Sequence, residues 1–297
     1  MTVCVAAICE GRIVGASDRM LTAGDIEFEP EQSKIFQLTT SVGCMIAGDS
    51  ALQAEILPRL KSEIHQRIYL DPENWWLIRD VAALYFHHYT EVKKARIERQ
   101  LLSPLGLTHD SFLSKQKELA PELVMRLSAD MVNYQMPDVE TIVCGIDPEG
   151  PHIYVVRNSG ISCLDQVSFA AVGSGAWHAN SQLMFAGHTR MRLMPATLFL
   201  VYAAKKRAEV APGVGVGTDM ILMGPALGNY IEVGTHVFTE LESCYQSVRD
   251  EAKKTREVAD MRIATYVEQL TGAAAAAQEQ SSPAIVDEGT SGIPPSE

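Results

Sequence analysis

The sequence predicts an α+β fold in which antiparallel sheets are covered by layers of helix. Three observations carry that prediction. Strand-like runs come in hairpin pairs, segments of helical period separate those pairs, and no GxGxxG or GxxxxGK[ST] signature is present to mark a dinucleotide or P-loop fold.

Val3 to Cys9 is a run of small and β-branched apolar residues, followed by Glu10-Gly11 and a second run from Arg12 to Ser17. The near-continuous apolar character of this hairpin predicts burial on both faces. Lys34–Leu38 and Val42–Ala47 make a second hairpin. The period then changes: Leu52, Ile56, Leu60, Ile64 and Ile68 fall at helical spacing between Ser50 and Tyr69. A second helix is expected from Trp75 to Leu102, broken by Ser103-Pro104-Leu105-Gly106, and a third from about Ser111 to Asn133 with Pro121 near an internal boundary.

Strand character returns at Thr141–Ile146, with Asp147-Pro148-Glu149-Gly150 as a turn, then at His152–Val156 and Ser168–Val172. Gly173-Ser174-Gly175 opens a helical stretch through Phe185, and Pro195–Ala208 reads as another helix. Met220–Met223 and Tyr230–Val233 look like a closing strand pair, and a long charged helix spans roughly Thr239 to Leu270. The expected organisation is one domain over residues 1–271, with a helical insertion at about 94–137. Residues 272–297, with hardly any large apolar side chains, are expected to form a disordered tail.

Composition excludes several function classes. A formal net charge of −12 argues against nucleic-acid binding, which needs clustered Lys and Arg. The densest basic stretches, Lys93-Lys94-Ala95-Arg96 and Lys205-Lys206-Arg207, lie in helical patterns and are read as solvated helix faces. The six cysteines show no metal-binding spacing, the eight histidines form no ligand motif, and four of the cysteines sit in apolar strand-like runs. No metal or cofactor is therefore expected. The absence of a signal-peptide pattern and of an apolar run near ~20 residues predicts a cytoplasmic protein with no membrane span.

A threonine hydroxyl is a weak nucleophile and needs a base beside it. When threonine is the first residue its own α-amine, titrating near ~7.7–8.0, can fill that role. A neighbouring ammonium lowers the amine's pKa, a buried lysine needs a carboxylate to stay charged, and a backbone N–H must face the developing oxyanion. Thr2 would become terminal once Met1 is removed. Asp18 ends the second strand, across the hairpin from the start of the first; Lys34 begins the third strand; Gly48 sits where a strand gives way to a helix.

Taken together, Thr2, Asp18-Arg19 with Thr22 three residues on, Lys34-Ile35-Phe36 and Ala47-Gly48 resemble the proteasome β-subunit and HslV-type peptidase pattern, in order and without a gap. Gly173-Ser174-Gly175 is similar to the family's glycine-serine-glycine turn. The likeness covers roughly residues 2–66 and 140–235. It implies a four-layer αββα sandwich, the N-terminal-nucleophile hydrolase fold, with Thr2 at one end between the two sheets. It also implies that Thr2 attacks a peptide carbonyl, Lys34 tunes the amine, Asp18 holds Lys34, Gly48 serves the oxyanion, and Ser174 positions the amine or the water. By position, Leu21, Gln32 and Ile46 are expected to line a neutral, mostly apolar substrate pocket.

Three features depart from the pattern. The stretch Ala211 to Asp219 carries no aspartate and serine in register with the pair that supports the family's terminal amine. Only Met1 precedes Thr2, as in the bacterial ring-forming relatives. The segment from about Lys94 to Pro137 is longer than usual. The leading expectation is a threonine peptidase acting on peptides or unfolded protein in a homo-oligomeric ring. Any ATP-dependent unfoldase would be a separate partner. An amidase acting on small amides and a ring-forming scaffold with little turnover are the alternatives.

Overall fold

A computed structural model describes residues 2–23, 26–30, 33–73 and 76–281. β1 (Cys4–Cys9) and β2 (Arg12–Asp18) form the first expected hairpin. They join through Glu10 and Gly11, both at positive φ (42° and 73°), the geometry of a two-residue turn whose twist matches the strands. A short pair, β3 (Leu21–Ala23) and β4 (Ile26–Phe28), follows without having been anticipated. β5 (Ile35–Gln37) and β6 (Val42–Gly48) make the next hairpin.

α1 (Ser50–Leu70) starts at Asp49, whose side chain accepts the Leu52 N–H at 2.7 Å. α2 (Ile78–Ile97) begins later than Trp75, which lies outside the described residues. Its N-terminal Ile78 N–H is capped from a distant strand residue, Asp147, at 2.9 Å. A π-helical turn extends α2 to Leu102, and Gly106 closes the next turn at φ 72°. The helix expected over Ser111–Asn133 is two helices, α3 (His109–Ser114) and α4 (Pro121–Val132). Pro121 sets the start of the second: it disfavours helical backbone at Ala120 and suits a first helical position, while α3 has already ended at Ser114. Leu102, Leu107, Phe112 and Leu127 give this insertion its own small core.

The second half contributes β7 (Val139–Asp147), β8 (Gly150–Arg157), the unexpected β9 (Gly160–Cys163), and β10 (Phe169–Val172). Then come α5 (Ala176–Phe185), α6 (Met194–Ala208), β11 (Thr218–Met223) and β12 (Tyr230–Glu232). The final helix, α7 (Thr235–Ser281), runs beyond the expected end near Leu270. The Ala273–Ala277 run explains the extension, since alanine is the strongest helix former. The tail expected from residue 272 thus begins within this helix, and residues 282–297 lie outside the described residues.

The strands form two antiparallel five-stranded sheets, ordered β10-β1-β2-β11-β12 and β5-β6-β7-β8-β9. One apolar core lies between them, with Cys4, Ala6, Ile8 and Ile13 facing Met45, Ile142 and Cys144. A second core fills the space between β6, β7 and helices α1 and α2. On the other side α5 and α6 pack against β10, β1 and β2. The result is the four-layer αββα sandwich. By compactness the chain divides into residues 1–241 and residues 242–297, the second unit being the remainder of α7 among the described residues. Cys4, Cys9, Cys44 and Cys144 are buried, Cys163 and Cys244 are exposed, and none is in a disulfide.

Candidate active site

The first hairpin fixes Thr2 beside Asp18. The Asp18 N–H donates to Val3 O at 3.2 Å, so the end of β2 lies against the residues that lead into β1. Thr2 is 2% exposed, Asp18 0% and Lys34 7%, which places three polar side chains in a nearly dry site. Asp18 Oδ1 accepts the Thr2 hydroxyl and the Val3 N–H, the latter at 2.9 Å. Its Oδ2 accepts the N–H groups of Met20 at 3.0 Å and Gly215 at 3.1 Å. Lys34 Nζ lies 3.0 and 3.1 Å from the two carboxylate oxygens and 2.5 Å from Met20 O, and it also contacts Thr2 Oγ1. A buried ion pair is tolerable only when its remaining donors and lone pairs are satisfied; here they are.

The opposite side comes from the turn after β10. Ser174 Oγ accepts the Thr2 N–H at 3.2 Å and lies 3.3 Å from both Thr2 O and Pro212 O. Thr2 O is also bound by the Gly175 N–H at 3.2 Å. Gly173 cannot be replaced cheaply: its φ is +89°, and a Cβ there would stand 2.4 Å from Thr2 O. Its N–H is held by Glu140 Oε2 at 2.8 Å, and Glu140 Oε1 is bound by Arg157 Nε at 2.5 Å. Gly48 ends β6 at φ +112°, where a Cβ would meet Asp138 O at 2.1 Å. It adjoins Asp49, the cap of α1. Thr2, Gly48, Ser174, Asp138, Glu140 and Arg157 share one cavity of about 480 Å3.

Thr2, Asp18, Lys34, Gly48 and Ser174, the five residues expected to act together, are thus brought together. The expected substrate pocket is not. Ile46 is fully buried in the core against α1 and α2. The reason is the strand's period of two: on β6, Met45 and Ala47 point between the sheets while Cys44 and Ile46 point toward the helices. Leu21 is half-buried on β3 and does not line the cavity. Gln32 lies outside the described residues. Glu140 of β7 and Arg157 of β8, with Asp138 just before β7, line the cavity instead, so charged groups stand where a neutral pocket was expected.

Three contributors escaped the sequence reading. Gly215 acts through its backbone and has no side chain to signal it. Glu140 sits in an apolar strand as an isolated carboxylate. Lys205, read as part of a solvated face, is wholly buried, and of its basic stretch only Arg207 is exposed. The signal was available: Val201, four residues before, and Ala208, three after, put Lys205 on the inward face of α6. Asp219 pairs with Arg19, Arg19 Nε lying 3.0 Å from Oδ1, so its charge is engaged away from Thr2.

Among the described residues no cluster of three or more His, Cys, Asp or Glu is arranged to hold a metal ion, and no helix is long and apolar enough to cross a membrane. The family model described as proteasome subunit matches residues 2–89. That span holds Thr2, Asp18, Lys34 and Gly48, while Ser174 lies beyond it. No curated protein gives a significant match. Residues 2–89 are thus similar to the proteasome subunit family, and the two-sheet sandwich is consistent with the N-terminal-nucleophile hydrolase architecture.

Proposed function

We propose that the chain is a threonine-type peptidase in a proteasome-like homo-oligomer, active once the Met1–Thr2 bond has been cut. One observation supports it above the others: Thr2 Oγ1 sits between the Lys34 ammonium and the Asp18 carboxylate, with Thr2 N on Ser174. Freed of Met1, that nitrogen is an amine adjacent to the hydroxyl it must deprotonate.

In the first half-reaction Thr2 Oγ1 bonds to the substrate's carbonyl carbon as its proton passes to the α-amine. The Lys34 charge favours the alkoxide and keeps the amine unprotonated before attack. The carbonyl oxygen, now an oxyanion, is received by the Gly48 N–H, a type of contact worth about 10²–10³ in rate. Collapse breaks the C–N bond, and the leaving amine takes the proton from the α-ammonium. Water then adds to the resulting ester with the same amine as base, releasing the acid and restoring Thr2. Exposed Trp177, Met184 and Phe185 on α5 offer an apolar face suited to contact with another copy. Substrates would be peptides or unfolded protein, and a separate ATP-dependent unfoldase would be needed to supply folded ones.

A second reading is favoured by residues 211–217, which include no carboxylate or hydroxyl to support the amine. It takes the chain as a ring-forming scaffold with little turnover. The deciding experiment is intact-mass analysis, followed by incubation with a peptidyl epoxyketone, which closes a ring on an adjacent hydroxyl and amine. An adduct at Thr2 that disappears in Thr2→Ala supports the peptidase. Met1-free protein that takes no label sinks it. Profiling with peptides and small amides then separates peptidase from amidase.

A further inference from the structure

α6 turns one lysine inward. The Lys205 side chain has no exposed surface, and its Nζ reaches three oxygens: Glu209 Oε1 at 2.7 Å, Gly215 O at 2.9 Å and Val216 O at 2.8 Å. An ammonium has three protons, so each finds an acceptor. Two of those acceptors are consecutive carbonyls of the stretch Gly213-Val214-Gly215-Val216-Gly217. The N–H of the same Gly215 donates to Asp18 Oδ2 at 3.1 Å. Lys205 is thereby linked, through one residue of backbone, to the carboxylate that holds Lys34.

Three alternating glycines make this stretch costly to order, because glycine loses more backbone freedom on folding than any other residue. Its amide keeps a direction only if something outside the stretch fixes it. A buried ion pair is weak evidence for stability as such, since an apolar side chain of similar volume often serves as well. A merely structural lysine at the end of α6 would be satisfied by Glu209 and nearby helix carbonyls. Lys205 instead spends two of its protons ten and eleven residues further on.

We infer that Lys205 is a positioning residue for the reaction: its ammonium clamps the Gly215–Val216 backbone, so that the Gly215 N–H holds Asp18 in line with Lys34 and Thr2. This inference rests on the threonine-hydrolase reading. Burial depresses the Lys205 pKa below the ordinary lysine value, and neighbouring Lys206 on α6 adds to that. Glu209, just after α6, opposes it by hydrogen bond and charge, as does the Asp18 charge from β2. Without the Glu209 charge, the Lys205 ammonium should therefore lose its proton, and the clamp its hold, at a lower pH on the alkaline side than in wild type.

The test uses full-length, Met1-free protein: wild type, Lys205→Met and Glu209→Gln. Three readouts are taken: the rate of Thr2 labelling by the peptidyl epoxyketone, its pH profile, and amide exchange of residues 213–217 and of β1 and β2. Lys205→Met should label about 10–100-fold more slowly, the effect of a reacting group displaced by about an ångström. Exchange should rise at 213–217 and stay unchanged in β1 and β2. Glu209→Gln should move the alkaline limb of the labelling profile to lower pH. Wild-type labelling with an unchanged rate in Lys205→Met overturns the inference and leaves the hydrolase reading standing. If Lys205→Met loses protection in β1 and β2 as well, it has not folded, and Glu209→Gln decides: an unmoved alkaline limb overturns the inference. If wild type itself takes no label, the hydrolase reading fails and the positioning role with it. Faster exchange at 213–217 in Lys205→Met would then mark Lys205 as a purely structural clamp.

Discussion

On the wall of the site formed by β1, β2 and the residue before β5, the polar contacts centre on two charged side chains; on the wall formed by residues 211–217, the backbone alone makes them. Asp18 and Lys34 hold each other and Thr2 by charge and hydroxyl contacts. Across from them Pro212 offers a carbonyl to Ser174, and Gly215 offers an N–H to Asp18 and a carbonyl to Lys205. A wall of side chains is set by residue identity and leaves a motif. One of backbone groups is set by conformation, and its fixation depends on whatever tethers it.

The severest way to break the side-chain wall is Lys34→Met. Labelling and turnover should fall by about 10²–10⁴, the range for loss of acid–base assistance. Folding stability should fall by about 3–5 kcal/mol, because the buried Asp18 charge loses its partner. Chemical denaturation measures the second effect, and retained activity would contradict the assigned role of the lysine. Next comes Gly173→Ala, which pushes a methyl group against Thr2 O. A displacement of about an ångström should lower the labelling rate by about 10²-fold while Asp18 and Lys34 remain intact.

Ser174→Ala removes one hydrogen bond to Thr2 N and leaves the Gly175 N–H on Thr2 O. The loss should be about 1 kcal/mol, or roughly 5-fold in rate, and a loss as large as that of Lys34→Met would reverse the ranking of the two walls. Two changes outside the site serve as controls. Tyr85→Phe deprives the buried Thr141 hydroxyl of its partner at 2.8 Å and should cost about 1–2 kcal/mol of stability with turnover unchanged.

The smallest effect concerns His188, whose Nε2–H donates to Ile8 O at 3.0 Å and whose Nδ1 is buried without a partner. Burial holds its pKa below the ordinary imidazole value. The unfolded chain therefore binds this proton first as pH falls. The histidine's contribution to stability is complete above about pH 6.5 and declines as pH drops below it. In His188→Gln the denaturation midpoint should depend less steeply on pH over that window.

What could be read in the sequence follows the same division. Thr2, Asp18, Lys34 and Gly48 were legible because a terminal-threonine nucleophile calls for those residue types and their spacing resembles a known family's pattern, and Ser174 was legible through that resemblance alone. Hairpins and helices were legible because their period shows in the apolar pattern. Ile46 was not, because a strand apolar on both faces does not say which face meets helix and which meets sheet. The start of α4 follows from Pro121, whose boundary was expected, while the end of α3 at Ser114 carries no comparable signal. Lys205 was hidden by its company: a basic triplet looks solvated until the neighbours at helical spacing are counted.

The thiols buried in the two cores have a practical consequence for probing this molecule. Desolvation raises Cys4 and Cys144 far above the ordinary thiol range and pushes Cys44 up to about 12, so at neutral pH they stay protonated and unreactive. Cys4 is two residues from Thr2 and still presents no competing nucleophile. In the threonine-hydrolase reading, an incoming electrophile would meet one activated oxygen in the site and, among the described residues, two exposed thiols, Cys163 and Cys244. Oxygen-directed and sulfur-directed reagents should therefore mark different places on the same molecule, and their order of addition should not matter.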